Sequence, residues 1–162
     1  MAVTIREFRN TDLAAILDIA VAAWQPVFES SRNIVGEELF ETVYSDPDAR
    51  KRKQVTLACS DDNPTLVWIA EIDGEIAGFI TVIMNHDSLV AEIGNNAVSP
   101  DHQHQGIGTT MYNFVLVQMR DAGMKAAVVT TGGDDAHAPA RRAYEKAGFS
   151  GPVPSVEYYI KL

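Results

Sequence analysis

The stretch SPDHQHQGIGTTM, residues 99–111, decides how this sequence folds, because it joins a strand-like run to a helix-like run. The run before it is LVAEIGNNAV (89–98), and the run after it is GIGTTMYNFVLVQMRDAG (106–123). Apolar side chains in the second run recur every three or four residues, which indicates an amphipathic helix. The short apolar run KAAVVTT (125–131) follows and is typical of a buried central strand. The order strand, helix, strand predicts a β-α-β unit with parallel strands.

The glycine turn at the start of this helix has two interpretations. A helix N-terminus leaves about four N–H groups without partners and carries a partial positive charge. Gly106 and Gly108 have no Cβ, so an anion could approach the main chain there; alternatively, the glycines only form the turn. A P-loop is excluded because no lysine follows Gly108. A dinucleotide fingerprint is excluded because Met111 stands where a third glycine or alanine is required.

Histidines flank the turn without forming a convincing metal site. His102 and His104 would need further ligands, and only Asp101 and His137 are candidates. Solvated loop histidines are the simpler interpretation. We therefore predict no metal.

The residues before this unit predict a strand, three helices and a hairpin. From their apolar spacing and their Pro and Gly positions, the first elements are a strand at 3–9, a helix that ends at Pro26, and helices at 35–44 and 46–60. Two β-rich runs between residues 65 and 84 then meet at Asp73-Gly74, a strong hairpin signal.

The residues after the unit predict a helix and a last strand. PARRAYEKAGF (139–149) opens with Pro139, which suits the first turn of a helix, and Gly148 suits its end. SVEYYIKL (155–162) predicts the strand. The whole order is that of an α+β (mixed α/β) fold, and the length of 162 residues favours a single domain, 1–162.

The charge of the chain limits its partners. It has 22 acidic and 13 basic residues, for a net charge of −9. This balance argues against sequence-independent binding to nucleic acid, which needs a basic face. It is compatible with a cationic partner such as an amine, and equally with solubility alone.

Composition also gives expectations for location. No run approaches the roughly 18 consecutive apolar residues of a membrane span, and a start that carries Arg6, Glu7 and Arg9 is not that of a signal peptide. The lone Cys59 cannot form an internal disulfide and fits a reducing cytoplasm. No neighbour in sequence would activate Cys59 as a nucleophile.

Two motifs, in this order, resemble those of the GNAT (Gcn5-related) N-acetyltransferase superfamily. VSPDHQHQGIG resembles its acetyl-coenzyme A signature, Gln/Arg-x-x-Gly-x-Gly/Ala, carried here by Gln103, Gly106 and Gly108. ARRAYEKAGF resembles the family's Tyr-Glu-Lys-x-Gly-Phe segment. The close resemblance covers residues 89–149, the expected acetyl-CoA-binding core; residues 1–84 match only in element order and form the expected acceptor-side half. The resemblance implies a mixed central sheet of about six to seven strands, flanked by about four to five helices.

The resemblance also implies where the coenzyme lies. In the family, its pyrophosphate sits on the N–H groups of the glycine turn, and the preceding strand pairs with its pantetheine arm. The positions that match these contacts are Ala97, Val98, Gln103, His104, Gln105, Gly106, Ile107, Gly108, Thr109, His137 and Arg141. His137 stands where relatives commonly have asparagine, so its role as a contact or a base is open.

Two residues are candidate catalytic groups by the same resemblance. Tyr144 matches the family's general acid, which protonates the departing thiolate; the alternative is an aromatic residue that only packs. Glu92 matches a catalytic glutamate of the histone-modifying branch in its distance from the turn, and is the candidate base; the alternative is a solvent-facing glutamate. Strand alternation would put Glu92, Asn96 and Val98 on one face unless a bulge intervenes.

The implied activity is direct transfer of an acetyl group from acetyl-CoA to a primary amine of a small molecule or peptide, in the cytoplasm. The expected acceptor-lining residues are Trp24, Phe28, Glu29, Asn96 and Tyr158. Dimers are frequent in the family, so a homodimer is one expected form, and no nucleic-acid or membrane partner is expected. Two competing interpretations remain: a coenzyme-binding sensor that has lost turnover, and a non-catalytic interaction domain whose glycines only form a turn.

Overall fold

The computed structural model describes residues 2–162, and within them five strands form one sheet. The strands are β1 (Val3–Glu7), β2 (Leu66–Ile72), β3 (Glu75–Asn85), β4 (Val90–Val98) and β5 (Ala126–Val129). The helices are α1 (Leu13–Val35), α2 (Glu37–Val43), α3 (Pro47–Ala58), α4 (Ile107–Asp121) and α5 (Ala138–Lys146). Short 3-10 turns precede α1, α4 and α5, at Asn10–Asp12, Pro100–His102 and Asp135–His137. The predicted mixed fold class is confirmed.

The strands lie in chain order across the sheet, from β1 to β5. The first three pairs are antiparallel, and β4 and β5 are parallel, which confirms the predicted β-α-β unit around α4. The hairpin between β2 and β3 turns at Asp73 and Gly74, whose φ angles are 52° and 86°. Two successive left-handed residues are what a type I′ turn requires.

The sheet has fewer strands than predicted, because residues 155–162 form no strand. Pro152 and Pro154 remove two main-chain donors just before this segment. The segment lies along α2 instead, where the hydroxyl oxygens of Tyr159 and Tyr44 are 3.2 Å apart. The prediction of a sixth strand here is wrong.

Strand β5 is therefore at the edge of the sheet rather than at its centre. Among residues 2–162, residues 126–129 pair only with β4, and Val128 is 48% exposed. The predicted buried, central position is wrong for this reason: an apolar run does not itself reveal whether another strand covers its outer edge.

Helix α1 is longer than predicted, since Pro26 lies inside it and does not end it. Proline removes a single helical hydrogen bond, and side-chain contacts hold the helix on both sides of it. Trp24 packs on Phe28 with ring centroids 5.8 Å apart, and the Ser30 hydroxyl donates to Asp134 at 2.6 Å. The helix ends at Gly36, whose φ is 86°.

By length and apolar composition alone, the segment Asn10–Val35 could cross a membrane, and it is the one such segment in residues 2–162. Its packing gives another reason for the apolar content. Ile16 and Ala20 have no exposed surface and cluster with Ile69 and Phe79 of the sheet. In this structure α1 is a helix that covers one face of the sheet.

The two faces of the sheet carry different helices. On one face, Ile16 of α1 and Val55 of α3 pack on Phe79. On the other face, Met111 of α4 and Tyr144 of α5 belong to the main apolar cluster. The sheet therefore separates an α1–α3 face from an α4–α5 face.

A β-bulge near the end of β4 changes which residues point to which face. Ile80 pairs with Asn96 and Val82 with Ile93, so one residue of β3 lies opposite two residues of β4. Regular alternation stops at such a bulge. Gly94 allows it, because a Cβ there would lie 2.8 Å from Thr81 Oγ1.

An ion-pair network joins β1 to the start of α1. The Arg6 guanidinium donates to both oxygens of Asp12, at 2.7 and 3.0 Å, and to Glu71 at 2.8 Å. Asp12 also accepts from the Arg9 N–H at 2.8 Å. The bonds from Arg6, strengthened by that from Arg9, outweigh burial and hold the pKa of Asp12 below its usual range.

We expect Asp12→Asn to lower the free energy of unfolding by about 1–2 kcal/mol at pH 7, since it removes a charge-assisted pair. A carboxyl whose pKa is lowered by folding stabilises the fold above its unfolded-state pKa, and this contribution is lost as pH falls through the folded-state value. The difference between wild type and variant should therefore shrink as pH falls below the usual carboxyl range, about 4. Urea unfolding at pH 7 and at pH 3 measures it, and a difference of the same size at both pH values would contradict the explanation.

Candidate active site

Strands β4 and β5 separate from each other partway along their length. They pair only from Val90 to Ile93 on β4, whereas β4 continues to Val98. Residues 96–98 pair with β3 on one side, and residues 94 and 95 form the bulge before them. None of the residues 94–98 has a strand neighbour on the β5 side among the described residues. The gap between β4 and β5 therefore presents unpaired main-chain groups to a ligand.

The N-terminus of α4 lies directly after this gap. In residues 2–162, the N–H groups from His104 to Thr109 have no main-chain acceptor, and the first helical bond runs from the Thr110 N–H to the Gly106 carbonyl. Gly106 caps the helix with a φ of 80°, and no atom lies within 4 Å of where its Cβ would be. Open donors at the positive end of a 15-residue helix are suited to bind an anion.

The expected coenzyme-contacting residues fall into two groups. Ala97 and Val98 lie at the end of β4 beside the gap, and the turn with the first residues of α4 carries Gln103, His104, Gln105, Gly106, Ile107, Gly108 and Thr109. The Gln103 side chain donates back to the Val98 carbonyl at 3.2 Å, so it ties the two ends of the turn together. An anion at this turn would therefore meet main-chain N–H donors, whereas the Gln103 side chain carries no positive charge.

Tyr144 reaches β4 from α5 and is 6% exposed. Its hydroxyl oxygen accepts from the side-chain amide of Asn96 at 3.3 Å. The Asn96 carbonyl oxygen in turn accepts from the Tyr112 hydroxyl at 2.8 Å. Among the described residues the Tyr144 hydroxyl donates no hydrogen bond, so its proton is available for a ligand.

Tyr112 is a residue of this site that the sequence did not identify. It lies on α4 with its ring centroid 4.9 Å from that of Tyr144, and burial, reinforced by the neighbouring Tyr144 hydroxyl, raises its pKa well above the usual value. The sequence did contain a signal for Tyr112, since it stands next to Met111, which belongs to the buried stripe of the predicted helix. A tyrosine buried there needs a hydrogen-bond partner for its hydroxyl. The partner, Asn96, could not be assigned without the bulge.

Glu92 does not share a face with Asn96 and Tyr144, so that part of the prediction is wrong. The bulge after Ile93 reverses the alternation, and Glu92 lies before it, on the opposite face from Ala91 and Ile93. The Glu92 side chain is exposed. Its role as a base remains a prediction without a buried position to support it.

His137 and Arg141 brace the loop after β5. The His137 ring pairs with the Asp134 carboxylate, and the Arg141 guanidinium donates to the carbonyls of Gly132 and Asp134, each at 2.6 Å. Partial burial opposes ionisation of Asp134, but hydrogen bonds from Ser30 and His137 outweigh it and lower its pKa. Both side chains that were expected to contact the coenzyme are engaged in protein contacts here.

The expected acceptor-lining residues are only partly brought together. The Trp24 ring contacts Phe28, and its centroid lies 6.0 Å from that of His137. Asn96 lies on the other face, beside Tyr144. Tyr158 is 92% exposed on the C-terminal segment, where it has no contact with this group.

The clefts on the surface of the protein include two of similar volume. One, of about 510 Å³, lies between the second half of α1 and the turn before α5, and its lining includes Glu29, Ser30, Asp134 and Asp135. The other, of about 530 Å³, lies beside β1, β2 and Cys59, and no predicted site residue lines it. Partial burial raises the pKa of the Cys59 thiol to about 11, so this cysteine is not an activated nucleophile.

Several solved structures with this fold are of acetyltransferases. The chain is similar to the PaiA N-acetyltransferase from Thermoplasma acidophilum in complex with coenzyme A, at 22% identity and a TM-score of 0.69 over 93% of this chain and 91% of that one. A GNAT family acetyltransferase from Brucella melitensis in complex with acetyl-CoA matches at 25% identity and a TM-score of 0.61, over 93% and 84% of the two chains. The ribosomal-protein-S18-alanine N-acetyltransferase from Escherichia coli matches at 20% identity and a TM-score of 0.67, over 94% and 80%.

A family model supports the same assignment from the sequence. The model for the acetyltransferase (GNAT) family matches residues 28–149, which include both motifs, the β4–β5 gap and Tyr144, but not Trp24 or Tyr158. The match covers most of the 162 residues. This chain therefore belongs to the GNAT family of acetyltransferases.

Proposed function

We propose that this protein transfers an acetyl group from acetyl-CoA to a primary amine of a small molecule or peptide. The observation that carries the proposal is the combination of an open β4–β5 gap, a helix N-terminus with free donors, and a buried tyrosine whose proton is free. The family match supports acetyl transfer in general. That the acceptor is a primary amine is part of our proposal and does not follow from the family match.

The coenzyme fits the donors that the structure leaves open. Its pyrophosphate would be held by the N–H groups from His104 to Thr109, which lack main-chain partners, and its pantetheine arm by residues 94–98 of β4. Gln103 is uncharged, so the helix dipole and these donors supply most of the attraction for phosphate. When bound, acetyl-CoA supplies an acetyl group that is activated as a thioester.

Transfer requires a proton to move at each end of the reaction. The acceptor nitrogen loses a proton and forms a bond to the acetyl carbon, the carbon–sulfur bond breaks, and the sulfur gains a proton. Tyr144 is placed to give that proton, because its oxygen accepts from Asn96 and its hydrogen is uncommitted. The Ser99 N–H donates to Ala77 of β3, so by alternation the Ala97 N–H also points to β3 and the Val98 N–H points into the gap. The Val98 N–H is therefore the candidate donor to the carbonyl oxygen as it gains negative charge.

The cleft beside α1 favours a positively charged acceptor. Glu29 and Asp135 line it together with Asp134, and the protein carries a net charge of −9. Solved structures with this fold include an aminoglycoside acetyltransferase from an uncultured soil metagenomic sample and the ribosomal-protein acetyltransferase named above. Both acceptor kinds, a small polyamine-like molecule and a peptide amine, belong in the first test.

The test is release of free thiol from acetyl-CoA with a panel of amines and peptides, with the acetylated product identified by mass. The proposal expects at least one acceptor to give product at a rate that depends on its concentration. If no acceptor reacts but coenzyme raises the melting temperature, either the panel lacks the acceptor or the protein is a coenzyme-binding sensor. If coenzyme does not bind, the glycine turn only shapes the chain, and the proposal fails.

Tyr112→Phe should lower kcat by about 3- to 10-fold, because it removes one hydrogen bond that holds Asn96, and such a bond contributes about 0.5–1.5 kcal/mol. The coenzyme dissociation constant should not change, since the lost hydroxyl donates to the Asn96 side chain and not to the coenzyme. Steady-state kinetics together with calorimetric titration of coenzyme separates the two effects. A loss confined to coenzyme affinity would contradict the role of Tyr112 in holding Asn96.

A further inference from the structure

Lys51 is a buried lysine that the mechanism above does not use. It lies on α3 on the α1–α3 face and is 4% exposed. Its ammonium nitrogen is 3.6 Å from the centroid of the Trp24 ring. It donates to the side-chain oxygens of Asn95 at 3.0 Å and Gln54 at 3.2 Å. Its surroundings are thus two amide oxygens and an aromatic face.

No acidic oxygen compensates this charge: among the described residues, none lies within 4 Å of the Lys51 nitrogen. The ionisable side chains on the elements around it are engaged elsewhere or exposed; they are Asp18 (paired with Arg52), Asp48 (bonded to Gln25), Arg50 (stacked on Tyr44), His137 (paired with Asp134), Lys53 and Glu92. Burial without an opposite charge disfavours the ammonium form. It lowers the pKa of Lys51 to about 8.

The contact with Asn95 places Lys51 at the β4–β5 gap. Asn95 lies in the bulge, in the part of β4 that β5 does not cover. The next residue, Asn96, holds Tyr144 on the opposite face. Asn95 and Asn96 thus connect the gap to Lys51 on one face of the sheet and to Tyr144 on the other.

We propose that Lys51 accepts the proton that the acceptor amine must lose, and that the acceptor therefore reaches the gap from the α1–α3 face. This inference rests on the proposed function. In the step, an N–H bond of the acceptor ammonium breaks and an N–H bond of Lys51 forms. Lys51 then returns the proton to water. The acid and the base act on opposite faces, with the reacting atoms between them.

A purely structural role for Lys51 predicts different behaviour. A buried charge held only by neutral groups is costly, and replacing such a group with an apolar side chain of similar length is often neutral or stabilising. We therefore expect Lys51→Met to keep the melting temperature and the coenzyme dissociation constant of the wild type. Lys51→Arg keeps the positive charge, but arginine does not release its proton in this pH range.

The test compares two acceptors that differ in basicity, chosen from those that the wild type acetylates. A peptide α-amine has a pKa of about 8, and a lysine side-chain amine one of about 10.4. At pH 7.5, Lys51→Met and Lys51→Arg should each lose about 100-fold in kcat with the more basic amine and only a few-fold with the less basic amine, which is already partly neutral. The wild-type rate should also rise with pH through an apparent pKa near 8, and both variants should lack this rise.

The matched controls are Lys53→Met and Lys53→Arg. Lys53 lies two residues after Lys51 on α3 and its side chain is exposed, so both variants should behave as wild type. Equal losses with the two acceptors, or full activity of Lys51→Arg, would show that Lys51 has only a structural role and would overturn the inference. The inference would also be overturned if the rate of Glu92→Gln did not rise with pH while the rate of Lys51→Met still did. An acetyl group found on Lys51 itself would overturn it as well. A wild type that binds coenzyme and acetylates no acceptor would overturn the proposed function, and this inference with it.

Discussion

Tyr144→Phe is expected to lower kcat by about 10²- to 10⁴-fold, the usual contribution of a general acid. A thiolate is a poorer leaving group than a thiol, and phenylalanine cannot supply the proton. The Tyr144 ring packs between Tyr112 and Phe149, and phenylalanine keeps that packing. The dissociation constant of coenzyme A should therefore stay within about threefold of the wild-type value.

Single-turnover kinetics and calorimetric titration of coenzyme A measure these two quantities separately. Tyr44→Phe is the control, since it removes a hydroxyl at the end of α2 that contacts only Tyr159. Asn96 loses one acceptor in Tyr144→Phe, so a decrease of about 1 kcal/mol in the free energy of unfolding is also expected. If Tyr144→Phe reacts at the wild-type rate, the leaving sulfur takes its proton from another source, and Tyr144 only packs.

Gly106→Asp is expected to weaken coenzyme binding by about 30- to 100-fold. Unit charges 4 Å apart interact by about 4 kcal/mol at an effective dielectric constant of 20, and solvent and salt reduce this to about 2–3 kcal/mol at an exposed turn. The new carboxylate would stand where the pyrophosphate approaches the free N–H groups. It would also suit the helix N-terminus, so folding should be affected less than binding.

Two comparisons separate charge from backbone strain. Gly106→Asn has nearly the same shape as Gly106→Asp without the charge, and should weaken coenzyme binding far less. Gly36→Asp is a control for the charge alone, because Gly36 also precedes a helix and has open space around its Cβ position; its ψ of 152° differs from the 5° of Gly106, so it does not control for backbone strain. If the Asp and Asn variants at position 106 lose equal affinity, the turn does not bind an anion through its main chain.

The sequence predicted those parts of the fold that depend on short-range patterns. The strand–helix–strand order around residues 89–131, the Asp73-Gly74 hairpin and the helix that starts near Pro139 all follow from spacing and turn chemistry, and the structure contains them. The end of α1 could not be predicted, because contacts between Ser30 and Asp134, far apart in sequence, outweigh the effect of Pro26.

The same distinction holds for the site. Gly106 and Tyr144 belong to short motifs, so their neighbourhood could be expected from sequence alone. Tyr112 and Lys51 enter the site only through Asn96 and Asn95, whose orientations depend on one extra residue in β4. Strand periodicity assigns faces only while alternation is regular, and for this reason it placed Glu92 wrongly.

The bulge in β4 also has a consequence for the tolerance of this gene to small insertions and deletions. Removing one residue from 94–96 would restore regular alternation and exchange the faces of every residue that follows in the strand. The side chains that now meet Tyr112 and Tyr144 would then face α3, and Ala97 would leave the cluster that contains Phe79. A three-nucleotide deletion there should disable both halves of the reaction at once, whereas a deletion within the exposed segment 150–157 should leave the chemistry intact.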